Sequence, residues 1–205
     1  MWQTLEEPER NSIALRIDAQ DPFNNYGAHA GTIASEDLSF YPGTQLLRVT
    51  NRQPAVGNRY FIRHGEELVP LHQLHDAQPD CDNRLGVLLN SGTAADYFRF
   101  AHFFSEEGRR RTLVEGPQDL NIDPTSIDPA KRQALAFIRP PEIKIDHGGL
   151  AVRACTFEEK TSWLCRNSYS LTPGRSPQLV GSEDSGIVLG NLFLNKQLKL
   201  NRIDI

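Results

Sequence analysis

Cysteine is scarce in this sequence. The chain holds three, Cys81, Cys155 and Cys165, with no paired spacing among them. So low and odd a count argues against a disulfide scaffold and points to thiols kept in a reducing compartment. Also missing is any apolar run near the ~20 residues that a membrane helix needs. The opening "MWQTLEEPER" carries neither the basic nor the apolar region of a secretory signal. These absences predict a cytoplasmic protein that meets no membrane. There is no excess of basic residues either: 22 Lys and Arg face 26 Asp and Glu, a net charge of −4. Phosphate neutralisation dominates general nucleic-acid binding, so nucleic acid is a disfavoured partner. Several catalytic signatures are absent as well. There is no G-x-x-x-x-G-K-[ST] loop, no strand–GxGxxG–helix unit and no G-x-S-x-G elbow. Their absence lowers the expectation of NTPase, dinucleotide-dependent or α/β-hydrolase chemistry.

What the chain does have is enough length for a core. At 205 residues about 70% of the unfolded surface can be buried, so folding needs neither metal nor disulfide. Its rings are unevenly placed. Of 2 Trp, 5 Tyr and 10 Phe, five fall in "DYFRFAHFF", residues 96–104. A helix started by "SGT" near Ala94 and stopped near Gly108 accounts for them. Projected at 100° per residue, Tyr97, Phe100, Ala101 and Phe104 form one stripe, with Phe98 and Phe103 on its flanks. Asp96, Arg99, His102 and Glu106 share the other side. Burying five rings contributes on the order of 7–15 kcal/mol at about 1.5–3 kcal/mol each, comparable to a domain's net stability. Core is therefore the favoured reading. A partner-binding surface formed by Phe98 and Phe103 with Arg109, Arg110 and Arg111 is the rival.

Elsewhere the pattern is mostly β. "SIALRID" (12–18) alternates Ile13, Leu15 and Ile17 with polar or small residues, as a half-buried strand does. "TQLLRVTN" (44–51) and "NRYFIRHG" (58–65) flank "RQPAVG" and make a hairpin. "EELVPL" extends the second strand until Pro70. Residues 72–84 read as polar and irregular, and "LGVLLN" (85–90) as a strand or short helix. "RRTLVEG" (110–116) reads as a strand, "AKRQALAFI" as a short helix ended by Pro140-Pro141, and "EIKID" (142–146) as a strand. "LAVRACTF" (150–157) and "TSWLCRNSYSL" (161–171) form a second hairpin. A three-residue connection, 159–161, would set Cys155 opposite Cys165. Short strands close the chain. The expected fold is α+β and β-rich, mainly antiparallel hairpins packed around one long aromatic helix at about 94–107. Its organisation is a single domain, 1–205, or two β-rich halves, about 12–90 and 109–205, joined through that helix.

Three constellations carry candidate chemistry. In "HQLHDAQPDCD", His72, His75 and Cys81 offer imidazole and thiolate donors for zinc, but the spacing matches no recurring ligand pattern. On the strand at 142, Glu142 and Lys144 share a face because they are two residues apart, and Asp128 lies fourteen residues earlier. Two carboxylates hold Mg²⁺ and a lysine steadies a phosphate or attacking water. This Asp…Glu-x-Lys set resembles that of the PD-(D/E)xK nucleases over about 17 residues, which implies Mg²⁺-dependent cleavage of DNA with Asp128, Glu142 and Lys144 as the catalytic set. The sequence departs from that family in placing a Gly turn and another strand after the motif, and Pro140-Pro141 before it. "GSEDSG" (181–186) is similar to the Gly-Asp-Ser-Gly of chymotrypsin-like proteases, with Glu183-Asp184 ahead of Ser185 and "GAHAG" around His29 as the nearest histidine segment. It reads instead as a polar turn before "GIVLG". The overall expectation is a non-catalytic protein-interaction or regulatory module that needs no cofactor, binding another protein or itself. The alternative is a metal-dependent hydrolase, with Mg or Zn.

Overall fold

A computed structural model describes residues 1–20, 30–51, 58–71, 77–121, 128–129, 132, 135–158, 160–188 and 193–194. Residues 21–29, the connection expected at 52–57, the segment 72–76 and the terminal strands beyond 194 lie outside the described residues. The fold is α+β, with two antiparallel sheets of five strands and few helices. Two compact units divide it, the first built on Met1–Leu74 and the second on His75–Ile203. Among the described residues, no helix is long and apolar enough to cross a membrane.

The first unit begins with β1 (Gln3–Thr4) and α1 (Glu7–Gln20). Four more strands follow: β2 (Ala30–Asp37), β3 (Thr44–Asn51), β4 (Asn58–His64) and β5 (Glu67–Pro70). They pair in sequence order, β1-β2-β3-β4-β5, as an antiparallel meander. Helix α1 overturns the strand expected at 12–18. Ile13 and Ile17 fit either reading, because i and i+4 share a helix face just as alternate residues share a strand face. Leu15 decides between them: a strand would bury it, yet it is 72% exposed. Glu7, Pro8 and Glu9 suit a helical first turn, by helix dipole and by proline's fixed φ. Ile13 and Ile17 then close a core with Ile33, Leu47, Val49, Phe61 and Leu68, one from β2, two from β3 and one each from β4 and β5. The second expected strand at 58–70 is two, reversed at Gly65, whose φ of +56° only glycine adopts without strain.

The second unit opens with α2 (Ala77–Leu85), where an irregular segment was expected. Its buried residues, Gln78, Cys81 and Asp82, recur at helical spacing, but two of them are polar. Gly86, with φ +72° and its N–H on the Asp82 carbonyl, ends the helix in the manner of a left-handed cap. Residues 86–90 are neither strand nor helix. The aromatic segment is helical as α3 (Ala94–Phe103), followed by a short α4 (Glu106–Arg110). Between them Ser105 turns extended, donates from Oγ to the His102 carbonyl at 2.6 Å and accepts the Gly108 N–H at 3.1 Å. Gly108 is thus inside α4 rather than a stop signal. A Cβ there would lie 1.9 Å from the His102 carbonyl oxygen, so close packing demands the glycine.

β6 (Thr112–Leu113) is all that the strand expected at 110–116 contributes. A 3-10 turn at Pro117–Asp119 leads to β7 (Leu120–Asn121). Helical bonds follow at 128–136: the Arg132 N–H reaches the Asp128 carbonyl and the Ala136 N–H that of Arg132. Then come β8 (Glu142–Asp146), β9 (Gly149–Glu158), β10 (Trp163–Leu171), β11 (Gln178–Val188) and β12 (Phe193–Leu194). The second sheet runs β11-β10-β9-β6, with β8 beside β6 along the same side of β9, and β12 pairs with β7. "GSEDSG" lies within β11, which corrects the polar turn expected there. The β9–β10 connection spans four residues between the paired Glu158 and Trp163, not three. Cys165 therefore faces Thr156, and Cys155 faces Arg166. A one-residue difference in register sends the two side chains to opposite sheet faces, and neither thiol is in a disulfide.

Candidate functional site

The aromatic helix belongs to the core. Tyr97, Phe98 and Phe100 are fully buried, while Phe103 and Phe104 are partly so. The Phe98 ring stands 5.5 Å from that of Tyr169 on β10, so the docking role weighed for it gives way to packing. His102 also leaves the polar side: it is buried, with its ring edge-on to Tyr169 at 5.4 Å. Burial pushes the Tyr169 phenol up to about 12. Tyr97 is held in the same direction, first by burial and then by its bond to Asp82. That bond runs 2.6 Å from the phenol to Oδ2. The same oxygen accepts the Gln78 amide and, at 2.7 Å, the backbone N–H of Gly174. One buried carboxylate thus ties α2 and α3 to the loop before β11. Nothing in the sequence marked Asp82 beyond its place in a polar, histidine-bearing stretch.

The arginine run is internally compensated. Arg110 pairs with Glu106 and Arg111 with Glu107, each one helical turn back. Arg109 lies exposed on the same short helix. On α3, Arg99 grips both Glu115 carboxylate oxygens, at 2.7 and 2.8 Å, and Asp96 at 2.9 Å. The Glu115 bond is the main influence raising its already high pKa.

Of the metal candidates, His72 and His75 lie outside the described residues, and Cys81 is buried in α2. Among the described residues, no group of three or more His, Cys, Asp or Glu is arranged to hold a metal ion. Of the nuclease-like set, Glu142 and Lys144 are exposed on one face of β8, opposite Arg153 and Ala151 of β9. The Glu142 carboxylate accepts a charged hydrogen bond from Arg166 on β10. Asp128 is exposed at the start of the helical turn that Arg132 closes.

The most distinctive surface of the second unit is the outer side of β11. The strand spans eleven residues, and among the described residues it pairs only with β10. Near its start, Leu179 is 41% and Val180 64% exposed. The ladder is irregular at this point. Ser168 faces Gly181, but the next residue, Tyr169, faces Leu179, so Val180 is an extra residue in the ladder. A second irregularity follows, with Cys165 opposite Asp184 and Trp163 opposite Val188. Such bulges bend and twist a strand at a sheet's edge. An edge strand presents a row of backbone N–H and C=O groups to whatever extended chain comes beside it. No family model matches the chain, and neither a curated protein nor a solved structure matches it.

Proposed function

We propose that the chain is a non-catalytic interaction module that takes an extended segment of a partner protein onto the outer side of β11. The length of that edge, with Leu179 and Val180 open at its start, is the observation that carries the reading. Strand addition draws affinity from main-chain hydrogen bonds and specificity from alternate side chains. The two irregularities favour a flexible segment over a second copy of the chain: a twisted edge meets its rigid twin along only part of its length, whereas an extended peptide follows the twist. The Glu142 carboxylate lies beside Arg166 rather than beside a second carboxylate, which favours this reading over the metal-dependent hydrolase. A cytoplasmic setting is part of the same reading, supported by three cysteines of which none is in a disulfide.

Selection of random peptides displayed on phage tests the proposal, with amide hydrogen exchange as the readout. Enriched peptides should protect β11 amides and lose affinity on Val180→Pro, which alters the backbone of the edge. Peptides that protect other strands, or that bind the variant equally well, refute it. Sedimentation of the chain alone separates out self-association: a dimer that Val180→Pro dissociates would make the partner a second copy.

A further inference from the structure

A cleft of about 740 Å³ opens at one end of the first unit's sheet, within the roughly 300–1,000 Å³ usual for small-molecule sites. Along one edge of it runs a row of polar side chains set by strand register. Asp37 on β2 lies directly opposite Gln45 on β3, and Gln45 directly opposite Arg63 on β4. Gln45 Nε2 donates to Asp37 Oδ1 at 2.9 Å, and Arg63 Nη2 donates to Gln45 Oε1. Arg63 Nη1 completes the row by donating to Glu9 of α1 at 2.6 Å. Two residues further along the strands, the same sheet face carries Leu47 and Phe61 of the apolar core. The row therefore marks where that face stops being dry.

One wall of the cleft is pre-formed. The Leu38 N–H bonds to the Thr44 carbonyl, the Tyr41 N–H to that of Leu38, and the Thr44 N–H to that of Tyr41. Phe40 and Tyr41 anchor this turn as fully buried rings 4.8 Å apart. Another part of the lining is loosely held. Arg16 reaches Glu66 at 3.0 Å, and the Glu66 side chain is 96% exposed. Ion pairs of that kind are worth little net free energy, so a competing carboxylate displaces Glu66 readily.

The lining carries charge of both signs, Arg16 and Arg63 with Asp37 and Glu66, and Arg63 is shared with Glu9 beside it. Asp37 and Arg63 stand two strands apart, roughly 9–10 Å between backbones at the usual strand spacing. We propose that this cleft binds a small zwitterion, its carboxylate on the arginines and its ammonium group on Asp37. A singly charged ligand satisfies one pole and leaves the other facing it across the site. The site is independent of the β11 edge.

Titration of the ¹⁵N-labelled chain with 6-aminohexanoate tests this, with hexanoate and hexylamine as singly charged controls. The zwitterion should shift amides within 37–45 and 63–66, and the controls should bind about tenfold or more weakly. Asp37→Asn should remove that advantage at unchanged thermal stability, and Glu66→Gln should tighten binding several-fold. Absence of those shifts at millimolar ligand, hexanoate binding equal to that of the zwitterion, or an Asp37→Asn variant that retains the preference would overturn the proposal.

Discussion

The two five-stranded sheets treat their edges in opposite ways, and their most connected polar groups differ in exposure. In the first unit the edge strands are short, two residues in β1 and four in β5, and the conspicuous polar row lies along a cleft. In the second unit polar groups are buried as hubs, Asp82 with Gln78 and Tyr97, and Asn167 with Thr156 and Tyr169. There the long strand, β11, is the edge. The contrast teaches where each unit has put its risk. A buried hub is expensive to break because its orphaned partners stay desolvated, whereas a surface row is rehydrated when broken.

That difference is open to measurement, beginning with its largest consequence. Asp82→Ala strips partners from a phenol, an amide and a backbone N–H, and should cost the second unit about 3–5 kcal/mol in urea denaturation. Asp37→Ala, in the first unit's row, should cost within about 1 kcal/mol. Equal losses would erase the distinction between hub and row. Phe98→Ala should likewise cost about 3–5 kcal/mol as a core truncation, against about 0.5 kcal/mol or less for the exposed Leu15→Ala on α1. A large loss at Leu15 would restore the strand reading of 12–18.

The third consequence appears in alkali. A phenol is charged when deprotonated, so a folded-state pKa raised from the usual 10 to about 12 favours the folded form. For Tyr169 this stability is fully present below pH 10 and is lost as pH climbs towards 12, about 2–3 kcal/mol in all. Stability measured against pH should fall over that window in the native chain, and Tyr169→Phe should lessen the fall, with Tyr97, raised in the same direction, supplying what remains. The smallest expected effect is at the edge: Val180→Lys should change stability by about 0.5 kcal/mol or less while abolishing binding of any strand-adding peptide. A strongly destabilised variant would show β11 to be sealed rather than open.

The hairpin β3–β4 was legible because alternation and turn residues agree there, β9–β10 by its strands alone, and the aromatic segment because five rings in nine positions leave few alternatives to burial. What escaped did so for identifiable reasons. Three residues, Ile13, Leu15 and Ile17, satisfied a period of two, while the signal for α1 sat upstream in Glu7, Pro8 and Glu9. Helix α2 was missed because its buried stripe is Gln78, Cys81 and Asp82, and a search for apolar periodicity passes over polar residues that bury themselves by hydrogen bonding. One extra residue in the β9–β10 connection reversed the expected relation of Cys155 and Cys165, since side-chain facing depends on parity. Among candidate sites, the sequence offered Glu142 and Lys144 on one strand face. It gave no hint of the Asp37–Gln45–Arg63 row, whose members are brought side by side only by register across three strands.

The bond from Gly174 to Asp82 joins residues 92 positions apart. During synthesis the Asp82 carboxylate emerges long before its backbone donor exists, and it must stay hydrated until the loop after β10 arrives. Among the described residues, the strands of the first unit need no partner so distant, because each strand of the meander pairs with the one just made. On a ribosome, then, the strands of the first meander can pair while Asp82 still lacks its Gly174 donor.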